Sequence, residues 1–265
     1  MIKSSEIKKT ALNKLDWKKS FLVSILFVLT NLALSYALQY ANNLTANIPI
    51  FQVAFNLIYL ALFLPLSFGF VSVISKLYKS QIVNATTLFN EAILNFTKTI
   101  KIFLRTLLKM IVPSIIIIVA GIGILFLTLQ NLPITTENLA SYSLYIFFIY
   151  FVVLISISLS AIPYVLSSYI LADNNNLTSK EIIEQSASLM ENQKWNFIKL
   201  IISFLGWFIL LAIIVTIANM SLNETIASIV NSIGLILLMP YLITSIRVFY
   251  EEAQDVVITE NENNN

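Results

Sequence analysis

The sequence contains no cysteine and no histidine. Without cysteine, the chain has no disulfide bond, no thiol nucleophile and no thiolate metal ligand. Without histidine, it lacks the usual general base of enzymes and the commonest metal ligand of proteins. These absences remove the familiar routes to catalysis. We therefore expect a protein that is not an enzyme, with no catalytic residue, no metal and no cofactor.

Charged residues are scarce as well. Only 11% of the 265 residues are charged, whereas 58% are hydrophobic, and the mean hydropathy is +0.84. Soluble domains carry about 25% charged residues and roughly 45–50% apolar ones. So few charges cannot cover so many apolar side chains in water. The composition therefore predicts an all-α, polytopic integral membrane protein that is surrounded mostly by lipid.

Six stretches without a charged residue are long enough to cross a bilayer. A hydrocarbon core of ~30 Å needs about 20 apolar residues in a helix. The predicted spans are 21–40, 50–75, 110–130, 144–171, 198–218 and 226–246. Polar segments at 41–49, 131–138 and 219–225 join the two spans of each pair.

The positive charges occupy alternate connections only. All 16 Lys and Arg residues lie before span one, between spans two and three, between spans four and five, or after span six. The only charged residues in the other three connections are Glu137 and Glu224. Because Lys and Arg accumulate on the cytoplasmic side of a membrane, we expect a multi-pass protein of the cell membrane with both termini in the cytoplasm.

A short amphipathic segment precedes each odd-numbered span. Apolar residues recur there at helical spacing in three stripes: Ile7, Ala11, Leu12 and Leu15; Phe89, Ala92, Ile93, Phe96 and Ile100; Ile183, Ala187 and Met190. Thr178 and Glu181 have the spacing of a capping box, which predicts the start of the third helix. Helices of this kind lie along a membrane surface, so we expect all three at the inner leaflet.

Aromatic and basic residues at the starts of the odd spans predict interfacial anchors. Trp17 and Trp195 match the aromatic belt of membrane proteins. Lys18, Lys19 and Lys199 stand beside them, where lysines attract anionic lipid. Nucleic acid is not an expected partner, because the basic clusters adjoin spans and anionic lipid is nearer.

The three even-numbered spans share a motif around Pro65, Pro163 and Pro240. The fourth residue after each proline is small, and these residues are Gly69, Ser167 and Thr244. Proline removes a backbone hydrogen bond and predicts a helix kink. A nearby hydroxyl or a neighbouring helix is expected to bind the freed carbonyl, and small residues let helices approach closely.

We interpret residues 1–250 as one transmembrane domain made of three hairpin units, 1–79, 84–172 and 178–250. Gene duplication and shared physical demands both explain the likeness of these units. Residues 251–265 form an acidic tail, which we predict to be disordered past Ile258.

Two stretches in the second half resemble a known family. They are "SYILADNNNLTSKEIIEQSASLMENQKWNFIKLIISFLGW" (168–207) and "MPYLITSIRVFYEE" (239–252). Their pattern resembles the bacterial integral-membrane family called domain of unknown function 975 (DUF975). The matching residues are Leu171, Ala172, Asp173, Ser186, Met190, Lys194, Trp195, Phe197, Phe204, Trp207, Pro240, Tyr241 and Tyr250. Asn192 replaces a glycine that is usual in the family. The resemblance implies a membrane protein without an established activity and adds no catalytic residue.

Some polar residues admit two interpretations. Glu181 and Glu184 could hold a divalent cation from one helix face, or they could form a capping residue and a solvated face. The paired glutamates Glu251 and Glu252 are typical of one class of intramembrane protease, but that chemistry requires histidine. The amides within the apolar runs serve either as hydrogen-bonding links between helices or as a solute site, and they are Asn31, Gln52, Asn56 and Asn231.

These observations favour a non-enzymatic membrane component. We expect its amphipathic helices to engage inner-leaflet lipid, a membrane-protein partner or a second copy in a homo-oligomer. The alternative is an uncoupled transporter or exporter of a neutral or apolar compound, since no ionisable group at membrane depth suggests proton coupling. A polar cavity between spans two, four and six would favour transport. A closed bundle with free apolar helix faces would favour an interaction role.

Overall fold

The computed structural model describes residues 3–84, 86–130 and 139–263. In this part of the chain every regular element is helical. The α-helices are α1 (Ser4–Lys14), α2 (Trp17–Leu44), α3 (Pro49–Tyr78), α4 (Thr87–Leu94), α5 (Phe96–Gln130), α6 (Leu139–Ala161), α7 (Ser167–Asp173), α8 (Ser179–Met190), α9 (Lys194–Ser221) and α10 (Glu224–Asn263). A 3₁₀ turn, Ile162–Tyr164, joins α6 to α7.

Six candidate spans are long and apolar enough to cross a membrane. They lie in α2, α3, α5, α9 and α10 and in the combined stretch of α6 and α7. This confirms the predicted all-α class with six candidate spans. The predicted connection at 131–138 lies outside the described residues.

The spans pack as consecutive hairpins. Helix α2 packs against α3, α5 against α6, and α9 against α10. Each short helix then packs on an even-numbered span: α4 on α3, α8 on α7 and the 3₁₀ turn, and α1 on α10. The first short helix packs on the last span, so all three short helices follow the same arrangement around the bundle. The threefold repeat itself stays a prediction.

The buried core lies at one end of the bundle, where α3, α7 and α10 converge. Its largest apolar side chains include Phe70, Ile74, Leu166, Ile170 and Phe249. The opposite halves of the spans leave large apolar side chains exposed, as at Leu57, Phe147 and Ile213. This distribution suits a bundle whose helices pack tightly at one end and meet lipid along their length.

The helix before span three differs from the predicted amphipathic segment. Helix α4 ends at Leu94, and α5 begins at Phe96 and continues into the span, so the predicted stripe from Phe89 to Ile100 is divided between two helices. Asn95 lies at the break, where its side-chain amide donates to the Glu91 carbonyl at 3.2 Å. Such bonds from asparagine to the backbone compete with continuation of the helix.

At the other end of the chain, α10 continues to Asn263, where the sequence predicts a disordered tail.

The three prolines do not have one common effect. Pro65 and Pro240 are buried inside the continuous helices α3 and α10. Pro163 lies in the 3₁₀ turn, so span four is interrupted there rather than kinked within one helix. The Ser186 hydroxyl of α8 donates to the Pro163 carbonyl at 2.8 Å. A helix break at this point is therefore stabilised by a neighbouring element.

The small residues after the prolines differ in their contacts. The hydroxyls of Ser167 and Thr244 are buried and have no hydrogen-bond partner among the described residues, so neither of them binds a freed carbonyl. Binding of the freed carbonyls by another group stays a prediction. A Cβ at Gly69 would lie 2.4 Å from the Leu88 carbonyl oxygen. Helix α4 thus approaches the α3 backbone more closely than any larger residue would permit.

Candidate functional site

Arg247 is the centre of a buried ion-pair cluster. Its side chain lies near the end of the core and is only 1% exposed. The guanidinium donates to both carboxylate oxygens of Asp173, with Nη1–Oδ1 at 2.8 Å and Nη2–Oδ2 at 2.7 Å. It also donates to Glu251 Oε1, from Nη2 at 3.1 Å and from Nε at 3.3 Å. Bidentate pairing of this kind is the strongest form of the arginine–carboxylate interaction.

The same carboxylates bind two groups at the end of α3, and one of these groups also binds α1. Lys79 Nζ lies 2.9 Å from Asp173 Oδ1, and the Tyr78 hydroxyl donates to Glu251 Oε2 at 2.6 Å. Lys14 Nζ in turn donates to the Tyr78 hydroxyl at 3.0 Å. We call these six residues the Arg247 cluster: Arg247, Asp173, Glu251, Lys79, Tyr78 and Lys14. The cluster links α1, the end of α3, α7 and α10.

Two tyrosines cover the buried arginine. The Tyr250 ring centre lies 4.9 Å from Arg247 Cζ, within range of a cation–π contact. The Tyr169 ring stacks on Tyr250 with 6.1 Å between centroids, and its hydroxyl donates to the Ile243 carbonyl at 3.0 Å. The rings exclude water from the guanidinium, which strengthens its pairing with the two carboxylates.

The cluster is suited to holding helices together rather than to catalysis. Taking an unpaired guanidinium out of water costs several kcal/mol, and carboxylate partners offset that cost. Both carboxylates already accept hydrogen bonds from positively charged or hydroxyl groups, so neither is a free general base. At the edge of the cluster, the hydrogen bond with the Tyr78 hydroxyl raises the pKa of Lys14 above its ordinary value. Lys14 is therefore firmly cationic at neutral pH.

A second polar set fixes α4 on α3. The Glu91 carboxylate accepts from Lys76 Nζ and, at 3.0 Å, from the Ser72 hydroxyl. Asn95 at the end of α4 lies on the same carboxylate, 3.5 Å from Glu91 Oε2. These bonds form beside Gly69, where the two helices come closest. They explain why a helix as short as α4 keeps its place.

One protein family matches almost the whole chain. The model of a protein family of unknown function, DUF975, matches residues 1–256. The chain belongs to DUF975. No curated protein and no solved structure matches it.

Some of the residues that carry the DUF975 resemblance belong to the Arg247 cluster or to the core. Asp173 is in the cluster, Tyr250 covers it, and Ser186 and Met190 of α8 are fully buried, whereas Trp195 and Trp207 are exposed. Sequence reasoning counted Arg247 only among the basic residues after span six. It did not pair Arg247 with Asp173, because 74 positions separate the two in the chain. The sequence feature that could have indicated the cluster was an arginine directly after an apolar span, followed by two glutamates.

Contacts among the basic segments place them at one end of the DUF975 bundle, which we call the charged end. Lys14, Lys79 and Arg247 come from three different segments and meet in the Arg247 cluster. Lys98 donates to the carbonyl of Asn175, which precedes α8. This grouping is what the positive-inside argument requires of six spans. That the charged end faces the cytoplasm stays a prediction.

Helices α1 and α8 bury part of the stripes that we expected at the inner leaflet. Ile7 and Ala11 of α1 and Ile183 and Met190 of α8 are buried in the bundle. Other apolar residues remain exposed at the charged end, and some of them belong to the first and second stripes: Leu12, Ile82, Ile93, Leu94 and Phe96.

The predicted interfacial anchors all lie on the surface. Trp17 is 44% exposed and Trp195 is 74% exposed. Lys18, Lys19 and Lys199 are exposed too. They come from two helices, since Trp17 starts α2 whereas Trp195 lies in the first turn of α9. Their role as anchors stays a prediction.

The predicted capping box of α8 is present. The Thr178 hydroxyl accepts from the Glu181 N–H at 3.3 Å, and Glu181 Oε2 accepts from the Thr178 N–H at 2.7 Å. The bond from the Thr178 N–H lowers the pKa of Glu181 below its ordinary value. Glu184 lies 3.9 Å from Lys180 on the exposed face. Both glutamates thus have partners, and no group of three acidic side chains in the described ranges could hold a metal ion.

The amides at membrane depth differ in their roles. Asn31 of α2 accepts from the Tyr59 hydroxyl of α3 at 3.0 Å, so it links two helices. Gln52 and Asn56 donate to nearby carbonyls of their own helix or loop. Asn231 lines a cavity of 190 Å³ between α2, α3 and α10, together with Asn31 and three serines. This cavity lies between spans one, two and six, not between spans two, four and six, and its lining is mostly apolar.

Proposed function

We propose that this DUF975 chain is a non-enzymatic multi-pass membrane protein that engages anionic lipid of the inner leaflet. The observation that carries the proposal is a rim of exposed apolar and basic side chains at the charged end. The rim consists of Trp17, Lys18, Lys19, Ile93, Leu94, Phe96, Trp195 and Lys199. These residues begin the three odd-numbered spans or lie just before them.

The composition of the rim suits a headgroup layer. Tryptophan prefers the membrane interface, and lysines beside it attract anionic lipid. Each lysine near an anionic surface contributes about 1 kcal/mol, so Lys18, Lys19 and Lys199 together contribute about 3 kcal/mol. Because the stripes of α1 and α8 are mostly buried, the contact with lipid runs through the rim and not through those helix faces.

The packing at the charged end supports a role without passage of solute at that end. The Arg247 cluster joins four helices, and the two bonds from Arg247 to Asp173 hold the ends of α7 and α10 together. The same packing keeps the short helices on the bundle. A rigid platform of this kind presents the rim at a fixed depth.

Affinity purification from native membranes in mild detergent tests the proposal, with lipids and proteins both identified. We expect anionic phospholipid to be enriched over the bulk membrane. A variant with Lys18, Lys19 and Lys199 changed to Gln should lose that enrichment. A control with Lys3, Lys9 and Lys180 changed to Gln loses equal charge and should keep it. A lipid composition equal to that of the bulk membrane would refute the proposal. Recovery of one recurrent protein, or of a stable homo-oligomer, would instead assign the rim to a partner.

The cavity of 190 Å³ supports a second candidate, an uncoupled transporter or exporter of a neutral or apolar compound. Asn231 is exposed and lines this space, and its side chain makes no hydrogen bond within the described residues. An amide at membrane depth needs a partner, which a neutral solute with a hydroxyl or carbonyl group would provide. Mass spectrometry of the purified protein tests this candidate. It requires a retained small molecule that Asn231→Leu releases and that Gln52→Leu leaves in place.

A further inference from the structure

An apolar groove of 360 Å³ lies between α2 and the connection from α3 to α4. Lys19 lines it, followed along the same face of α2 by Leu22, Leu26 and Leu29, and Val83 and Asn84 line it from the connection. The three leucines follow the three- and four-residue spacing of one helix face. The groove therefore runs along α2 from the charged end toward the middle of the span.

The length and charge of the groove favour one occupant. Ten residues of helix separate Lys19 from Leu29, which is about 15 Å or half of the hydrocarbon core. That length matches an acyl chain of one leaflet, and Lys19 lies at the end of the groove where a headgroup would be.

The mouth of the groove attracts an anion. The Lys19 side chain is 57% exposed and lies in the first turn of α2, where the partial positive charge of the helix end adds to its own. Its Nζ lies 3.4 Å from Asp16 Oδ2. An exposed pair of this kind is worth at most about 1 kcal/mol, so a phosphate can take the place of the carboxylate. Asp16 also caps α2 by accepting from the Lys19 N–H at 3.2 Å, which holds the carboxylate at the helix end while the ammonium is free to turn.

We propose that this groove binds one inner-leaflet phospholipid with an anionic headgroup. Its phosphate lies at Lys19, and one acyl chain lies along Leu22, Leu26 and Leu29. The proposal rests on the proposed engagement of inner-leaflet lipid and assigns a defined site to it. Lys9 is equally charged and exposed, yet it neither lines the groove nor belongs to the rim. Lys19 and Lys9 thus provide a matched pair for a test.

Native mass spectrometry of the full chain, delipidated in a neutral detergent, tests this site. Phosphatidylglycerol is the probe, and phosphatidylcholine is the uncharged comparison. We expect the first phosphatidylglycerol to bind more tightly than phosphatidylcholine and Lys19→Gln to weaken it about fivefold. Lys9→Gln should leave the affinity unchanged. Leu26→Trp fills the groove and should reduce binding of both lipids, whereas Leu205→Trp, on the exposed face of α9, should not. Glycerol phosphate, which has no acyl chain, should not compete.

The outcomes separate this site from the wider proposal. Wild-type affinity in both Lys19→Gln and Leu26→Trp would overturn the groove, and a preference of the wild type for phosphatidylglycerol would still support the rim. Competition by glycerol phosphate would overturn the groove by showing a site for a free anion. Equal affinity of the wild type for both lipids would overturn the groove and the proposed function together. Lys19→Gln changes an exposed side chain, so its result does not depend on refolding a core.

Discussion

Replacement of Asp173 by Asn tests whether the Arg247 cluster holds the charged end together. The substitution keeps the shape of the side chain but removes the negative charge that faces the guanidinium in the two bonds of 2.8 and 2.7 Å. The amide also turns a donor toward a donor. Arg247 is 1% exposed, so little water reaches the guanidinium, although the side chain at position 173 is 22% exposed.

The expected loss of stability follows from the remaining contacts. Removing one partner of a buried pair costs about 3–5 kcal/mol. Glu251 still binds the guanidinium at 3.1 and 3.3 Å, so the lower value, about 3 kcal/mol, applies. For chains of this size, each kcal/mol lowers the melting temperature by about 2–4 °C. Asp173→Asn should therefore melt roughly 6–12 °C below the wild type.

The assay is thermal unfolding of the purified protein in one detergent, followed by intrinsic fluorescence. Lys79→Gln is the matched control, because it removes a partner of the same Asp173 carboxylate from a side chain that is 36% exposed. An exposed partner is worth at most about 1 kcal/mol, so the control should melt within about 4 °C of the wild type. If Asp173→Asn melts no lower than Lys79→Gln, the Arg247 cluster does not hold the charged end together as we describe.

Three further predictions concern individual contacts. Gly69→Val should separate α4 from α3, because even a Cβ would lie 2.4 Å from the Leu88 carbonyl oxygen. Faster hydrogen exchange in α4 would show this separation. The control Gly123→Val, at a position with open space around it, should have no effect on that exchange. Since the pKa of Glu181 is lowered, the cap of α8 should be intact above the ordinary glutamate pKa and lost as pH falls through the lowered value. In Glu181→Gln, hydrogen exchange at the start of α8 should lose this pH dependence, and an unchanged profile would contradict the assignment. Ser186→Ala leaves the Pro163 carbonyl without its partner and should cost about 1–3 kcal/mol in the free energy of unfolding, whereas the exposed Ser158→Ala should cost far less.

Local features of the chain were predictable wherever a local rule governs them. The capping box of Thr178 and Glu181 depends on bonds within one turn, and both bonds are present. The break at Pro163 was harder to predict, because Pro65 and Pro240 lie in the same sequence motif and their helices continue. The difference lies in the contact with Ser186, which is 23 positions away and belongs to another helix. No pattern around Pro163 contains that information.

The sequence by itself determined the helical class, the number of candidate spans and the grouping of positive charges in alternate connections. It could do so because lipid offers no partner for backbone groups, so a long apolar stretch must become a helix whatever its neighbours are. Only the tertiary structure decided that Arg247 pairs with Asp173 and that α1 and α8 turn their apolar stripes toward the bundle. An amphipathic helix gains as much free energy by packing on protein as by packing on lipid. A buried arginine pairs with any carboxylate that packing brings next to it. Those choices depend on which helices meet at the charged end.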